Sequence, residues 1–156
     1  TITFWLTFTI DDAGEAQGPG SDKAQDMASL EGKRVLLVED NDLNMEIAEY
    51  YLDAAGAVVM KAWNGKEAVA AFEKSAPGSI SLVLMDLMMP VMNGLEATRA
   101  IRALDRADAA SVPIIAMTAN AFDEDRERTK AAGMNAHLSK PLDMRALIDA
   151  VKRYGR

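Results

Sequence analysis

Five short apolar segments, each followed by a segment with helical periodicity, constrain the fold of this chain more than any other feature of its sequence. The candidate strands are KRVLLVE, AVVMKA, ISLVLMD, VPIIAMT and AHLS. The first of them shows no polar alternation, as expected of a strand buried on both faces. Because a helix separates each strand from the next, the connections are crossovers and the strands are parallel. The sequence therefore predicts an α/β protein, a doubly wound five-stranded parallel sheet with helices on both faces.

The helical segments carry apolar residues at helical spacing and polar residues that can cap their first turns. Asn41 is predicted to be the N-cap of the first helix, and Asn64 that of the second. Pro141 is predicted in the first turn of the last helix, where proline is tolerated. The predicted apolar face of the first helix consists of Leu43, Ile47, Tyr50 and Tyr51.

The amino-terminal part of the chain differs from the rest. Residues 1–10, TITFWLTFTI, alternate between apolar and mostly threonine positions, which predicts a strand with one apolar face. Residues 11–31 hold six acids, one lysine and no aromatic residue, so a flexible acidic linker is predicted there. Residues 32–156 then form one domain of ordinary size.

Composition excludes several classes of function. The absence of cysteine excludes disulfides, thiolate metal sites and cysteine nucleophiles, and it is compatible with the cytoplasm, where we expect the chain to reside. The net charge of −7, without a basic cluster, argues against nucleic acid as a partner. No apolar run approaches the roughly 18 residues that a membrane-spanning helix requires. We therefore expect no direct contact of this fragment with a membrane.

Polar residues follow the predicted strands at equivalent positions. Glu39 and Asp40 end the first strand, Asp86 the third, Thr118 the fourth and Lys140 the fifth. Because parallel strands in a doubly wound sheet end at one edge, where such folds bind ligands, these side chains are expected to share a pocket.

The chemistry of this pocket follows from its charges. Three clustered carboxylates repel one another, and a single lysine offsets only one of their charges. Oxygen ligands without histidine or cysteine favour a hard divalent cation, so Mg²⁺ or Mn²⁺ is predicted. An aspartate beside such an ion can act as a nucleophile towards phosphorus and form an aspartyl phosphate. Thr118 and Lys140 would bind phosphoryl oxygens by hydroxyl donation and by charge.

Four motifs occur in a fixed order: VLLVEDN, LVLMDLMMPVMNGLEATRAIR, PIIAMTANA and HLSKP. Together they resemble the receiver (response-regulator) domain over essentially the whole predicted domain. The resemblance implies a flavodoxin-like receiver fold with strand order 2-1-3-4-5. It makes Asp86 the phosphoacceptor, with Glu39 and Asp40 as the metal-holding acidic pair. Thr118 becomes the switch hydroxyl and Lys140 the phosphate-contacting lysine.

The resemblance also implies roles for further positions. The main-chain carbonyl of Met88 would be a third protein ligand of the ion, and His137 lies where receivers place a rotating aromatic residue or histidine. Met88 and Asn120 hold positions that tune dephosphorylation in the family. Because neither is an acid or a strong base, we expect partners to set the phosphoryl lifetime. The Lys140–Pro141 peptide bond is often cis in the family.

A receiver takes a phosphoryl group from a phosphohistidine and then changes its interactions. It catalyses its own phosphorylation and slow dephosphorylation, which leaves its status as an enzyme open. TFWLTFTI resembles the last strand of a histidine-kinase ATP-binding domain, and with the linker it favours the C-terminal receiver of a hybrid sensor histidine kinase. The expected donor is a phosphohistidine in the same parent chain, and the expected acceptor is a histidine phosphotransfer protein. We expect residues 1–10 to be disordered or to pair with another chain, which would support a dimer.

Three other functions compete with this interpretation. The first is a free-standing single-domain response regulator. The second is a phosphohydrolase with Asp86 as nucleophile, which typically needs an acid two residues later, where this chain has Met88. The third is a flavin- or nucleotide-binding flavodoxin-like protein, which would need a Gly- or Thr-rich phosphate loop after the first strand. The sequence there is EDND, which repels phosphate unless a metal intervenes.

Overall fold

The computed structural model describes residues 30–119 and 123–155, with the backbone alone for 123–125. It contains one parallel sheet whose strands lie in the order β2-β1-β3-β4-β5. The strands are β1 (Arg34–Val38), β2 (Val58–Ala62), β3 (Leu82–Asp86), β4 (Ile114–Thr118) and β5 (Ala136–Ser139). The predicted fold class and strand order are therefore confirmed.

Five α-helices alternate with the strands in this part of the chain. They are α1 (Asp42–Ala54), α2 (Gly65–Lys74), α3 (Gly94–Arg102), α4 (Asp123–Ala132) and α5 (Met144–Tyr154). Asn41 and Asn64 cap α1 and α2 as predicted, since their side chains accept hydrogen bonds from the backbone N–H groups three residues on. None of the described helices is long and apolar enough to cross a lipid bilayer.

The core has two layers, one on each face of the sheet. The central strands β3 and β4 are buried along their whole length, because helices cover both of their faces. Phe72 of α2 and Ile101 of α3 pack on one face. Leu52 of α1 and Leu147 of α5 pack on the other. The helices therefore cover both faces of the central strands and leave the carboxyl ends of these strands at the surface of the sheet.

The predicted apolar face of α1 is only partly buried. Leu43 is 63% exposed and Tyr50 is 67% exposed, whereas Tyr51 packs against the core. The fully buried side chains of the helix are Met45, Ala48 and Leu52, which share helical spacing but were not predicted.

The start of α5 also differs from the prediction. Pro141 does not lie in its first turn, because the helix begins three residues later at Met144. Asp143 is the N-cap and accepts a hydrogen bond from the backbone N–H of Arg145. The Lys140–Pro141 bond is cis, as the family resemblance implied.

The packed domain begins earlier than residue 32. Leu30, predicted to belong to the flexible linker, is fully buried, and its backbone N–H donates to the carbonyl of Ala55 at 2.9 Å. The predicted strand over residues 1–10, the linker up to residue 29 and the role of Asn120 lie outside the described residues.

Candidate functional site

The predicted site residues converge at the carboxyl end of the sheet. Asp86 is the last residue of β3 and only 4% exposed, and Glu39, directly after β1, is 1% exposed. Thr118 ends β4 and is buried, while Asp40 is exposed at the mouth of the site. Lys140 follows β5, where its backbone N–H donates to the carbonyl of Thr118 at 2.9 Å. Strand order alone produces this cluster, since β1, β3, β4 and β5 end side by side.

Lys140 joins two of the carboxylates. Its Nζ lies 2.7 Å from Glu39 Oε2 and 3.2 Å from Asp86 Oδ1. Glu39, Asp40 and Asp86 each offer a carboxylate oxygen, and these three atoms all lie within 4.8 Å of one another. One ammonium group therefore faces three carboxylates, and the site as a whole is negative.

The surroundings of Asp86 raise its affinity for a proton. Burial and the neighbouring charge of Glu39 together raise the pKa of Asp86 from 3.8 to about 7, and Lys140 only partly offsets them. Burial alone would lower the pKa of Lys140. Its hydrogen bond to Glu39 and the charges of Asp86 and Glu39 outweigh burial and leave this pKa above its usual value. The Asp86 carboxylate is thus held in an environment that disfavours its own charge.

The donor set fits a hard divalent cation. Three carboxylate oxygens within 4.8 Å of one another match the oxygen ligands that Mg²⁺ and Mn²⁺ prefer. A cation among Glu39, Asp40 and Asp86 would offset the charge that raises the pKa of Asp86. The site contains no histidine or cysteine near these oxygens that would favour a softer metal.

The loop from β3 to α3 shapes the edge of the site. The backbone N–H of Met88 approaches Asp86 Oδ1 at 3.4 Å, and the side chain of Met88 is exposed. Gly94 starts α3 against the end of β3, where an added Cβ would lie 2.3 Å from the carbonyl oxygen of Asp86. Only glycine fits this position, because any larger residue would push α3 away from Asp86.

His137 faces the protein interior and contacts a residue that sequence reasoning missed. Its Nε2 lies at hydrogen-bonding distance from Oγ1 of Thr129, a fully buried residue of α4. Thr129 Oγ1 also lies 3.0 Å from the carbonyl oxygen of Arg126, to which it can donate. Thr129 lies in DEDRERTK, whose charges indicate a solvated helix face, and no sequence signal distinguishes it.

A cavity of about 320 Å³ lies beside the carboxyl end of β4. Thr118 and Thr129 contribute to its wall, together with the apolar side chains of Leu87 and Leu95. The cavity thus borders both Thr118 at the site and the residue of α4 that contacts His137.

Relatives of known sequence share this domain. The chain is similar to hybrid signal transduction histidine kinase L of Dictyostelium discoideum, with 33% identity over 99% of this chain and 9% of the kinase. It is also similar to the polar-differentiation response regulator DivK of Brucella anthropi, with 35% identity over 78% of this chain and 95% of DivK. The chain thus spans about a tenth of the length of the kinase.

Solved structures of similar sequence share the fold. The receiver domain of the sensor histidine kinase PA1611 from Pseudomonas aeruginosa, crystallised with magnesium in its active-site cleft, is 40% identical, with a TM-score of 0.71 over 79% of this chain and 97% of that domain. The receiver domain of Ssk1 from Saccharomyces cerevisiae, crystallised with the histidine phosphotransfer protein Ypd1, is 31% identical, with a TM-score of 0.70 over 79% of this chain and 88% of that one. The response regulator receiver domain family matches residues 35–152. The chain belongs to this family and is a receiver domain of two-component signalling.

Proposed function

We propose that Asp86 is the phosphoacceptor of this receiver and takes its phosphoryl group from a phosphohistidine. The observation that supports this proposal most strongly is the contact of a buried aspartate with Lys140, beside two further carboxylates. Burial and the adjacent acid Glu39 also raise the pKa of this carboxyl. The ionised form of such an aspartate is the nucleophile, and the positive charge of Lys140 favours this form.

Each residue has a role in the transfer. An Asp86 Oδ atom attacks the phosphorus in line with the leaving imidazole nitrogen, so that an O–P bond forms as the N–P bond breaks. Lys140 and the Thr118 hydroxyl stabilise the phosphoryl oxygens by charge and by hydrogen-bond donation. We propose that Glu39, Asp40, Asp86 and the main-chain carbonyl of Met88 hold Mg²⁺, or Mn²⁺ in its place. The bound cation supplies charge neutralisation.

The interpretation as a hydrolase is less well supported. A phosphohydrolase of this type needs an acid near the leaving group, two residues after the nucleophile. That position is Met88, whose side chain is 82% exposed and cannot transfer a proton. We therefore propose a phosphoacceptor that catalyses its own phosphorylation and slow dephosphorylation, in which Met88 and Asn120 tune the lifetime and Thr118 and His137 form the switch.

A hybrid sensor histidine kinase is the proposed context. The relative from Dictyostelium, which matches 99% of this chain, supports it, whereas DivK supports the alternative of a free-standing regulator. In the hybrid, the donor is a phosphohistidine of the same parent chain and the acceptor is a histidine phosphotransfer protein. We also propose that the chain is cytoplasmic, that a linker precedes the domain, and that residues 1–10 mediate dimerisation. Sedimentation with and without residues 1–10 tests the dimer.

A phosphotransfer assay tests the proposed chemistry. The purified chain is mixed with a histidine kinase core labelled on its histidine, with Mg²⁺ or with EDTA, and the label is followed on a gel. We expect transfer to the wild-type chain that requires Mg²⁺ and is absent in Asp86→Asn. Transfer to Asp86→Asn at the wild-type rate would show that another residue accepts the phosphoryl group.

A further inference from the structure

Methionine provides all of the sulfur in this chain, which has ten methionines and no cysteine. In the part of the chain that the structure describes, every methionine except one is buried or partly buried. Met45, Met85, Met117 and Met134 are at most 6% exposed, whereas Met88 is 82% exposed. Among the described methionines, an oxidant dissolved in water therefore has free access to Met88 alone.

The loop between β3 and α3 contains two further methionines that differ from Met88 only in their surroundings. Met89 and Met92 are partly buried and pack against the core, so their sulfur atoms are partly covered. Because an oxidant has to contact the sulfur atom, an exposed thioether reacts faster than a covered one. The loop thus contains one accessible sulfur atom and two matched controls.

Met88 is also a neighbour of the proposed phosphoacceptor. Its backbone N–H approaches Asp86 Oδ1 at 3.4 Å. Met88 further lines the cavity that Thr118 borders. Its side chain has three rotatable bonds, so the sulfur atom samples many positions beside the site. A change in the polarity of this side chain therefore occurs next to any phosphoryl group that Asp86 carries.

We propose that Met88 is a site of reversible oxidation by peroxides, and that its sulfoxide shortens the lifetime of the phosphoryl group on Asp86. The inference rests on the proposed function of Asp86 and adds a means of regulating it. The sulfur lone pair attacks one peroxide oxygen, and the O–O bond breaks. The departing hydroxide takes the proton of the transferred oxygen and becomes water. Sulfur is oxidised and peroxide is reduced, and a methionine sulfoxide reductase restores the thioether.

The sulfoxide changes how Met88 interacts with water. A thioether accepts hydrogen bonds only weakly, whereas the sulfoxide oxygen makes the side chain polar and can hold a water molecule. Such a water attacks phosphorus as the bond from phosphorus to the Asp86 oxygen breaks. Its proton passes to the phosphate product, and the Asp86 carboxylate is restored. One additional hydrogen bond in the transition state corresponds to a loss of the phosphoryl group that is about five-fold faster.

Peptide mapping by mass spectrometry after brief treatment with dilute hydrogen peroxide tests the site of oxidation. Met27→Leu is used as the background throughout, because Met27 lies outside the described residues. We expect the first added oxygen atom on Met88, with Met89 and Met92 oxidised later. Urea unfolding of the singly oxidised chain should match that of the untreated chain, because Met88 has little packing to lose. Oxidation of Met89 or Met92 before Met88 would overturn the inference.

The phosphoryl lifetime tests the consequence of oxidation. Oxidised and untreated chains are labelled with acetyl phosphate and Mg²⁺, the donor is removed, and the loss of the adduct is followed by intact mass. We expect the oxidised chain to lose the adduct about five-fold faster, and methionine sulfoxide reductase to reverse this change. Met88→Gln, whose amide oxygen also accepts hydrogen bonds, should lose the adduct faster than Met88→Leu without any peroxide.

Two leucine variants assign the response to Met88. Peroxide should leave the lifetime of Met88→Leu unchanged, whereas Met60→Leu, which removes a partly buried methionine of β2, should keep the full response. An unchanged lifetime after oxidation of Met88, or a peroxide response that persists in Met88→Leu, would overturn the inference. Failure of acetyl phosphate to label the untreated chain would instead refute the proposed function of Asp86, whichever methionine is oxidised first.

Discussion

Replacing Asp86 by asparagine should make the metal-free domain more stable, although it removes the proposed acceptor. The ionised carboxylate is buried beside Glu39, and its pKa rises from 3.8 to about 7. At 1.36 kcal/mol per pH unit, this rise corresponds to at most about 4 kcal/mol of destabilisation once the group is ionised. Because the asparagine amide also has to be buried, we expect a net gain of about 2 kcal/mol at pH 8.

The pH dependence has a definite sign. Between pH 3.8 and about 7 the folded state holds the Asp86 proton more tightly than the unfolded state does, so the stability that this group contributes is complete below pH 3.8 and is lost as the pH rises through 7. Asp86→Asn removes this decline. Mg²⁺ should stabilise the wild type at pH 8 and the variant much less, because the variant lacks one of the three clustered carboxylates.

Asp108→Asn is the matched control, because it makes the same change at another buried aspartate. Asp108 accepts hydrogen bonds from Arg106 Nε at 2.6 Å and from the backbone N–H of Gly78 at 2.8 Å. The bond from Arg106 holds its pKa at about 2, so Asp108 stabilises the fold above pH 3.8 and loses this effect as the pH falls through 2. We expect Asp108→Asn to lower the free energy of unfolding by about 2 kcal/mol at pH 8.

Urea unfolding in EDTA at pH 5 and pH 8, followed by circular dichroism, measures both effects. The reasoning predicts opposite signs for the two substitutions at pH 8 and a smaller gain for Asp86→Asn at pH 5. If Asp86→Asn leaves the free energy of unfolding unchanged or lowers it at pH 8 without a divalent cation, the claim that the site strains the acceptor carboxylate is wrong.

Three further predictions concern the packing that positions the site. Leu30→Ala should lower the free energy of unfolding by about 3 kcal/mol in urea titrations, because Leu30 is fully buried. A loss below about 1 kcal/mol would show that Leu30 belongs to the linker and not to the packed domain. Gly94→Ala should destabilise the domain and slow labelling by acetyl phosphate, since its Cβ would meet the Asp86 carbonyl at 2.3 Å. Gly78→Ala is strained by a φ of 80° rather than by a contact with Asp86, so it should destabilise the domain without slowing the labelling. Val91→Gly should raise the urea midpoint by relieving the strain at φ 71°, with a gain of about 1 kcal/mol; a lower midpoint would show that the turn is unstrained.

The sheet could be predicted because strands such as β3 and β4 are continuous apolar runs that only burial on both faces explains. The cluster of Asp86 with Glu39 and Lys140 followed from the equivalent places of these residues after their strands. Because the strands are parallel, residues that follow different strands at equivalent positions lie close together at one edge of the sheet.

Other features depend on information that local sequence lacks. In α1, two sets of residues have helical spacing, and spacing alone does not decide which set packs, so Leu43 is exposed whereas Met45 is buried. Thr129 is buried within a highly charged helix because it meets His137 across the domain. Val91 gives no turn signal of its own, since its positive φ is imposed by the turn that Pro90 and Met92 close.

The most direct test of the central claim is the intact mass of the chain after incubation with acetyl phosphate and Mg²⁺, followed by peptide mapping of the adduct. The proposal predicts the mass of one added phosphoryl group, located on Asp86, absent in EDTA and absent in Asp86→Asn. An unchanged mass in the wild-type chain, or an adduct that persists in Asp86→Asn, would contradict the assignment of Asp86 as the phosphoacceptor.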